Sequence, residues 1–211
     1  MSKLFVDKYQ PLYFHDFDLE PDFLQVLNTM ITMDSLNILL IGDVAAGKTS
    51  LLNALIREYF KGYHPSQYNE NILSINSLKE QGINYYRSDV KTFCQTCSVI
   101  KGKKKFVLLD DIDFINEQSQ QVFRNCIDKY SKNVHFISSC SNIQKVIESI
   151  QSRFTILKMK PVQREYLERI VEKVTKEESI NLHLDARNFI LNVSNNTVKV
   201  VLNYLEKFGL V

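Results

Sequence analysis

With 211 residues, 45% of them hydrophobic and only 6 Gly and 4 Pro, the chain can bury a core of ordinary size, which excludes low-complexity and collagen-like classes. Its 26 Lys plus Arg nearly cancel 24 Asp plus Glu, so net charge does not mark a nucleic-acid binder, although a local patch can still be basic. No stretch reaches the roughly 20 apolar residues of a bilayer span, and the opening MSKLFVDKYQP is not a secretory signal, so a soluble intracellular protein is expected.

Residues 1–36 read as a lead-in punctuated by Pro11 and Pro21, with a helical pattern in PDFLQVLNTMI that places Phe23, Val26, Leu27 and Met30 on one face. Residues 36–42, LNILLIG, form a short apolar run stopped by glycine, as in a buried strand. A helix is predicted next, with Leu51, Leu52, Leu55, Ile56 and Tyr59 at helical spacing and Gly62 at its end. Residues 70–76, ENILSIN, alternate as a second strand, and residues 90–100 read as helical.

The KGKKK run at 101–105 fits a solvated turn or a phosphate-contacting patch, with the turn favoured. Residues 105–110, KFVLLD, form the clearest central strand, followed by a helix with Val122, Phe123, Cys126, Ile127 and Tyr130 on one side. VHFISSC and RFTILKM supply a fourth and a fifth strand. Strands alternating with helices imply an α/β fold, a parallel sheet with helices on both faces, spanning residues 1–160. After Pro161 the pattern is helical throughout, and residues 161–211 are expected to form a small all-helical lid domain.

Cys94 and Cys97 make a CxxC that fits half a zinc site, a redox pair or ordinary reduced cysteines; the last is favoured, because Cys126 and Cys140 fall in a helix and a strand end rather than a second knuckle.

The sharpest chemistry lies in GDVAAGKT, a phosphate loop set between a strand and a helix as that motif requires. Gly42 and Gly47 let the chain wrap around phosphates, and Asp43, Val44, Ala45, Ala46 and Ser50 complete the cradle of backbone amides at the helix start. Lys48 is expected to reach the β- and γ-phosphates and Thr49 to hold Mg²⁺; the loop alone does not choose ATP over GTP. Asp110 ends its strand where a Mg²⁺-organising carboxylate belongs, and Asp111 follows where an acidic residue can activate water. Arg153, just before the last strand, reads as an ordinary surface arginine or as a finger reaching a neighbouring nucleotide site.

These residues together resemble the AAA+ clamp-loader small subunits, the replication factor C family, over essentially the whole chain. FVDKYQP is similar to the family's W-x-E-K-Y-R-P, and GDVAAGKT resembles GPPGTGKT with Asp43, Val44, Ala45 and Ala46 in place of Pro, Pro, Gly and Thr. Residues 75–83 match L-N-A-S-D-D-R-G-I at Asn76, Gly82 and Ile83, while Lys79, Glu80 and Gln81 replace the acidic pair and arginine. The stretch from residue 108 to 153 aligns in register with the family's D-E-A-D through S-R-C segment, with Gln120, Gln121, Arg124, Tyr130, Ser131, Ile147, Gln151, Ser152 and Arg153 in place.

The resemblance implies ATP and Mg²⁺ as cofactors, Asp110 as the Walker B aspartate and Asp111 as a shortened form of the catalytic glutamate. It makes Ser141 the sensor-1 position, Lys199 the sensor-2 position and Arg153 a finger acting in trans. Lysine at 199 lacks the bidentate fork of arginine, and Asp111 and Ser141 are shorter than the usual residues, so binding is expected to be better preserved than hydrolysis. The implied partners are other clamp-loader subunits, a sliding clamp and primer-template DNA, with no membrane. The helix after Asn116, bearing Arg124, is the first candidate to track DNA. The family's C-terminal collar domain is not found before Val211. The implied location is the nucleus in a eukaryote, or otherwise the cytoplasm or a viral replication site.

Overall fold

The computed structural model describes residues 4–77 and 82–209. Its frame is a parallel sheet of β1 (Ile38–Ile41), β2 (Ile72–Asn76), β3 (Lys105–Asp110), β4 (Val134–Cys140) and β5 (Thr155–Lys158), in the order β2-β3-β4-β1-β5. Side chains alternate between the faces of a strand, so the continuous apolar runs of β1, β3 and β4 feed two cores. Ile38, Leu40, Phe106, Leu108 and Ile137 enter one, where α2 (Pro21–Thr32) and α3 (Lys48–Tyr59) pack. Leu39, Val107, Leu109, Val134 and Phe136 enter the other, covered by α5 (Ile83–Gln95) and α6 (Glu117–Tyr130). The short helices α1 (Phe5–Lys8), α4 (Pro65–Tyr68) and α7 (Glu148–Gln151) complete this part.

A third apolar cluster forms among α8 (Arg164–Glu177), α9 (Leu184–Val193) and α10 (Val198–Gly209), centred on Leu167, Val171, Val174, Ile190, Val201 and Leu205. Phe5, Val6 and Tyr9 pack against the same cluster, and the Tyr9 hydroxyl donates to Glu178 at 2.7 Å. The start of the chain thus joins the helices at its end, a contact between distant segments that no local pattern encodes.

Several expectations change. Val26 is 42% exposed on α2, while Leu27 is buried and Phe23, Leu24, Met30 and Ile31 pack against the core. The buried stripe is therefore rotated away from Val26. β2 starts at Ile72 because a 3-10 turn occupies Asn69–Asn71. The helix expected at 90–100 is Ile83–Gln95, ending where Thr96 turns to an extended backbone. Lys79, Glu80 and Gln81 lie outside the described residues.

The lysine run opens as the expected exposed turn at Lys101 and Gly102, but its last three ammonium groups are engaged by the protein. Lys103 Nζ donates to Tyr59 O at 2.9 Å and sits over the Tyr59 ring, and Lys104 pairs with Asp34 at 3.0 Å. Lys105 is buried; its Nζ donates to Phe93 O at 2.7 Å and Thr96 Oγ1 at 2.5 Å. Three ammonium groups are committed to fixing the strand's entry.

Candidate nucleotide site

Because β4 lies between β1 and β3, the C-terminal end of β4 separates the loop after β1 from the acidic end of β3. Ile41 pairs with Cys140, and Leu109 with Ser138, so the polar residues at 139–141 stand between both halves of the site. This is the edge where open parallel sheets bind ligands.

The phosphate loop runs from Gly42 to the N-cap of α3, Gly47, whose φ of 89° favours glycine. No side chain caps α3, which leaves the first-turn amides of Lys48, Thr49 and Ser50 for an anion. A Cβ on Gly42 would come within 3.2 Å of the Met159 Cβ, so packing also selects glycine there. Asp43, Val44 and Ala45 are exposed along the loop, Ala46 is half-buried, and Ala45 holds φ 62° where the resembling motif has glycine.

Lys48 is buried, at 6% exposure, and its Nζ donates to Gly42 O at 3.0 Å, Asp43 O at 2.9 Å and Ser141 Oγ at 2.9 Å. It has no carboxylate ion-pair partner among the described residues. Its direct contacts are all neutral acceptors, and the Asp111 carboxyl feels its charge without pairing with it, so the ammonium is free to meet a polyanion.

Thr49 Oγ1 donates to Asp110 Oδ2 at 2.7 Å, so the hydroxyl and carboxylate expected to share Mg²⁺ meet directly. Magnesium takes oxygen ligands, commonly one or two carboxylates with phosphates and water, and this donor pair fits it. When bound, the ion would neutralise phosphate charge. Among the described residues there is no group of three or more His, Cys, Asp or Glu that could hold a metal. Cys94 is buried with its thiol pushed up to about 12 by burial, whereas Cys97 is exposed.

Asp111 stands in a left-handed conformation, φ 52° and ψ 55°, directly after β3. Burial, and then the neighbouring Asp110, raise its carboxyl above the usual range, while Lys48 opposes the shift. A raised carboxyl is a better proton acceptor when ionised.

Arg153 is elsewhere. Ile38 pairs with Thr155, so Arg153 stands where the strands begin, and the phosphate loop follows where they end. Its Nη2 donates to Asp128 Oδ2 at 3.0 Å, its Nε pairs with Asp128 Oδ1, and its Nη1 reaches Ser149 O. Lys199 is exposed in the first turn of α10 and has no hydrogen bond or ion pair among the described residues. The structure brings Lys48, Thr49, Asp110 and Ser141 together and does not join Arg153 or Lys199 to them.

Sequence reasoning missed Ser139, Asp113 and Ser77. Ser139 Oγ donates to Asp110 Oδ1 at 2.5 Å and accepts from Asp111 N at 2.9 Å. Asp113 Oδ2 accepts from Ser141 N at 3.2 Å and Asn142 N at 3.0 Å, and Ser77 Oγ donates to Asp110 O. The available signal was two serines inside an otherwise apolar strand.

The fold and this loop define a P-loop protein of the AAA class: residues 38–162 match the model of the ATPase family associated with various cellular activities, and the chain belongs to that family. More particularly, it is similar in sequence to subunits of replication factor C. It is 30% identical to replication factor C subunit 3 of Schizosaccharomyces pombe, covering 95% of this chain and 58% of that protein. It is also 30% identical to replication factor C small subunit 1 of Pyrobaculum aerophilum, covering 98% of this chain and 62% of that one. The chain thus spans about three fifths of these relatives' length. The Thermotoga maritima RuvB Holliday junction branch migration motor shares the fold, with a TM-score of 0.71 at 14% identity over 94% of this chain and 64% of that one.

Proposed function

We propose that the chain is an ATP-binding subunit of a clamp-loader complex, which helps place a sliding clamp on primer-template DNA during replication. The observation that carries the nucleotide reading is Lys48: it is buried, lacks a carboxylate partner among the described residues, and stands at an uncapped helix start beside the Thr49–Asp110 pair. Gly42, Gly47 and the amides through Ser50 would hold phosphates, and Thr49 and Asp110 would hold Mg²⁺. Similarity to replication factor C subunits supports sister subunits, a clamp and DNA as partners. The α6 residue Arg124 is the first DNA-contact candidate on that reading. Arg153, remote from its own loop, fits a role in a neighbour's site.

The test is the native mass and composition of the complex purified through this chain with ATP present. Fixed-ratio co-purification of larger sister subunits supports the proposal; a monomer or homo-oligomer without them overturns it.

A second reading, a nucleotide-binding assembly subunit with little hydrolysis, is favoured by Asp111. Its side chain is one methylene shorter than the expected glutamate and leaves β3 on a left-handed backbone. Comparing ATP binding with turnover in the assembled complex separates the two.

A further inference from the structure

We propose that Asp113 is a positioning residue for recognition of the terminal phosphate, acting through the turn that carries Ser141; the inference rests on the ATP-binding reading above. Asp113 lies in the 3-10 turn Ile112–Phe114, beyond Asp110 and Asp111, and is buried at 9% exposure. One of its oxygens, Oδ2, accepts two backbone N–H groups from the exit of β4, Ser141 at 3.2 Å and Asn142 at 3.0 Å. The other, Oδ1, has no hydrogen-bond partner among the described residues.

The pair of bonds fixes the backbone of Ser141, and the Ser141 hydroxyl in turn accepts from Lys48 Nζ at 2.9 Å. A chain of contacts therefore runs from the end of β3 through Asp113 and the β4 exit to the lysine that meets phosphate. A buried carboxylate with one orphan oxygen is a poor stabilising device, because the unsatisfied atom carries a desolvation penalty. What it supplies is geometry: two charge-assisted bonds from adjacent amides hold one turn in one place. Phosphate recognition depends on such fixed geometry.

Ser141 lies beside the Lys48 ammonium rather than in the amide cradle of the loop. Lys48 is expected to span the β- and γ-phosphates, so loosening the turn beside it should matter more for ATP, which offers both, than for ADP, which lacks the outer one. Asp113→Ala removes both charge-assisted bonds to the turn and is expected to weaken a β,γ-methylene ATP analogue at least about tenfold, and ADP less than about twofold. Ser141→Ala should reproduce the selective loss, and the double variant should be no worse than either single one, because the two residues act along one path. Asp113→Asn retains a carbonyl oxygen for both amides and should restore most of the discrimination.

The experiment is titration of the full-length protein, in the assembly it purifies with, using both nucleotides in Mg²⁺ buffer. A residue with only a structural role would change both affinities alike and lower the melting temperature in step. Equal losses for both nucleotides, or losses that multiply in the double variant, overturn the inference while leaving the ATP-binding reading intact. No binding of either nucleotide by the unmodified protein overturns that reading and the inference with it. If the alanine variant fails to fold, Asp113→Glu, which keeps the charge but pushes the turn outward, takes its place. It should show the same selective loss, and equal losses with it overturn the inference too.

Discussion

Ser139 and Asp110 meet across two adjacent strands: the serine hydroxyl donates to Asp110 Oδ1 at 2.5 Å while the other carboxylate oxygen takes the Thr49 hydroxyl at 2.7 Å. The carboxylate is thus oriented from β4 on one side and from α3 on the other. Ser139→Ala frees one oxygen. Hydrogen bonds to charged groups are worth about 1.5–3 kcal/mol, so the Mg²⁺-dependent part of ATP affinity should fall at least about tenfold. Affinity measured in EDTA should change little, and titration with and without Mg²⁺ checks the contrast.

Ala45 holds φ 62°, a region that costs an L-residue roughly 1–2 kcal/mol, where the resembling motif carries glycine. Glycine would relieve that strain but increase the freedom of the unfolded chain by a comparable amount. Ala45→Gly should therefore leave stability within about 0.5 kcal/mol, whereas β-branched Ala45→Val should destabilise by more than about 1 kcal/mol. Denaturant unfolding of both variants tests the left-handed loop geometry directly.

His135 links burial to pH. It is 1% exposed in β4, its Nδ1 accepts from Leu36 N at 3.4 Å, and its Nε2 lies 3.0 Å from Asp34 Oδ1, which also accepts from the Tyr59 hydroxyl. Burial lowers its pKa from 6.5 to about 4, although Asp34 opposes the shift. The unfolded chain therefore binds a proton that the folded chain refuses between these values, and stability falls as pH drops through that window. The loss is on the order of 3 kcal/mol. Asp34, also depressed by Lys104, Tyr59 and His135, adds a loss at still lower pH, because a depressed carboxyl stabilises only while ionised. His135→Gln should flatten the slope from pH 6.5 to 4, read by unfolding at several pH values.

The phosphate loop was legible because its chemistry is contiguous: glycines, lysine and threonine stand within one strand–loop–helix unit. The strands were legible because β1, β3 and β4 are buried on both faces and read as unbroken apolar runs. Ser139 and Asp113 were not, because their roles exist only once β4 is inserted between β1 and β3. The lysine run was legible only in its first half, the exposed turn at Lys101 and Gly102, for a related reason. Its charges looked solvated, yet Lys103, Lys104 and Lys105 close onto Tyr59, Asp34 and Phe93, partners found at 12 to 70 residues' separation.

Arg153 is held by Asp128 at the edge where β5 begins, and four residues of strand separate that edge from the one bearing the loop. At about 3.3 Å per residue the separation is roughly 13 Å or more, beyond its reach to its own phosphates. Arg153→Ala should leave the chain's own ATP affinity unchanged and lower ATPase activity only in an assembly that puts a neighbour's site beside it. Asp128→Asn should retain that activity, since it releases the guanidinium rather than removing it. Nucleotide titration of the single chain, set beside turnover of the assembly, checks both.

Asp111 is where length and backbone geometry oppose each other. A glutamate would reach one methylene farther toward an attacking water, but the position holds φ 52°, a region that aspartate tolerates better than most side chains. Its carboxyl, raised by burial and by Asp110, suits proton acceptance at the cost of ionisation at low pH. Asp111→Asn should abolish turnover while leaving ATP affinity within about threefold, because the amide keeps the shape and removes the base. Asp111→Glu should raise turnover if reach limits the reaction, at a stability cost of about 1 kcal/mol from the backbone. The acid limb of the rate profile should then move toward lower pH, since the longer side chain carries the carboxyl away from Asp110 and into solvent. An unchanged rate with Glu would show that the geometry of the turn, rather than the missing methylene, sets the pace, and would shift weight to the low-hydrolysis reading.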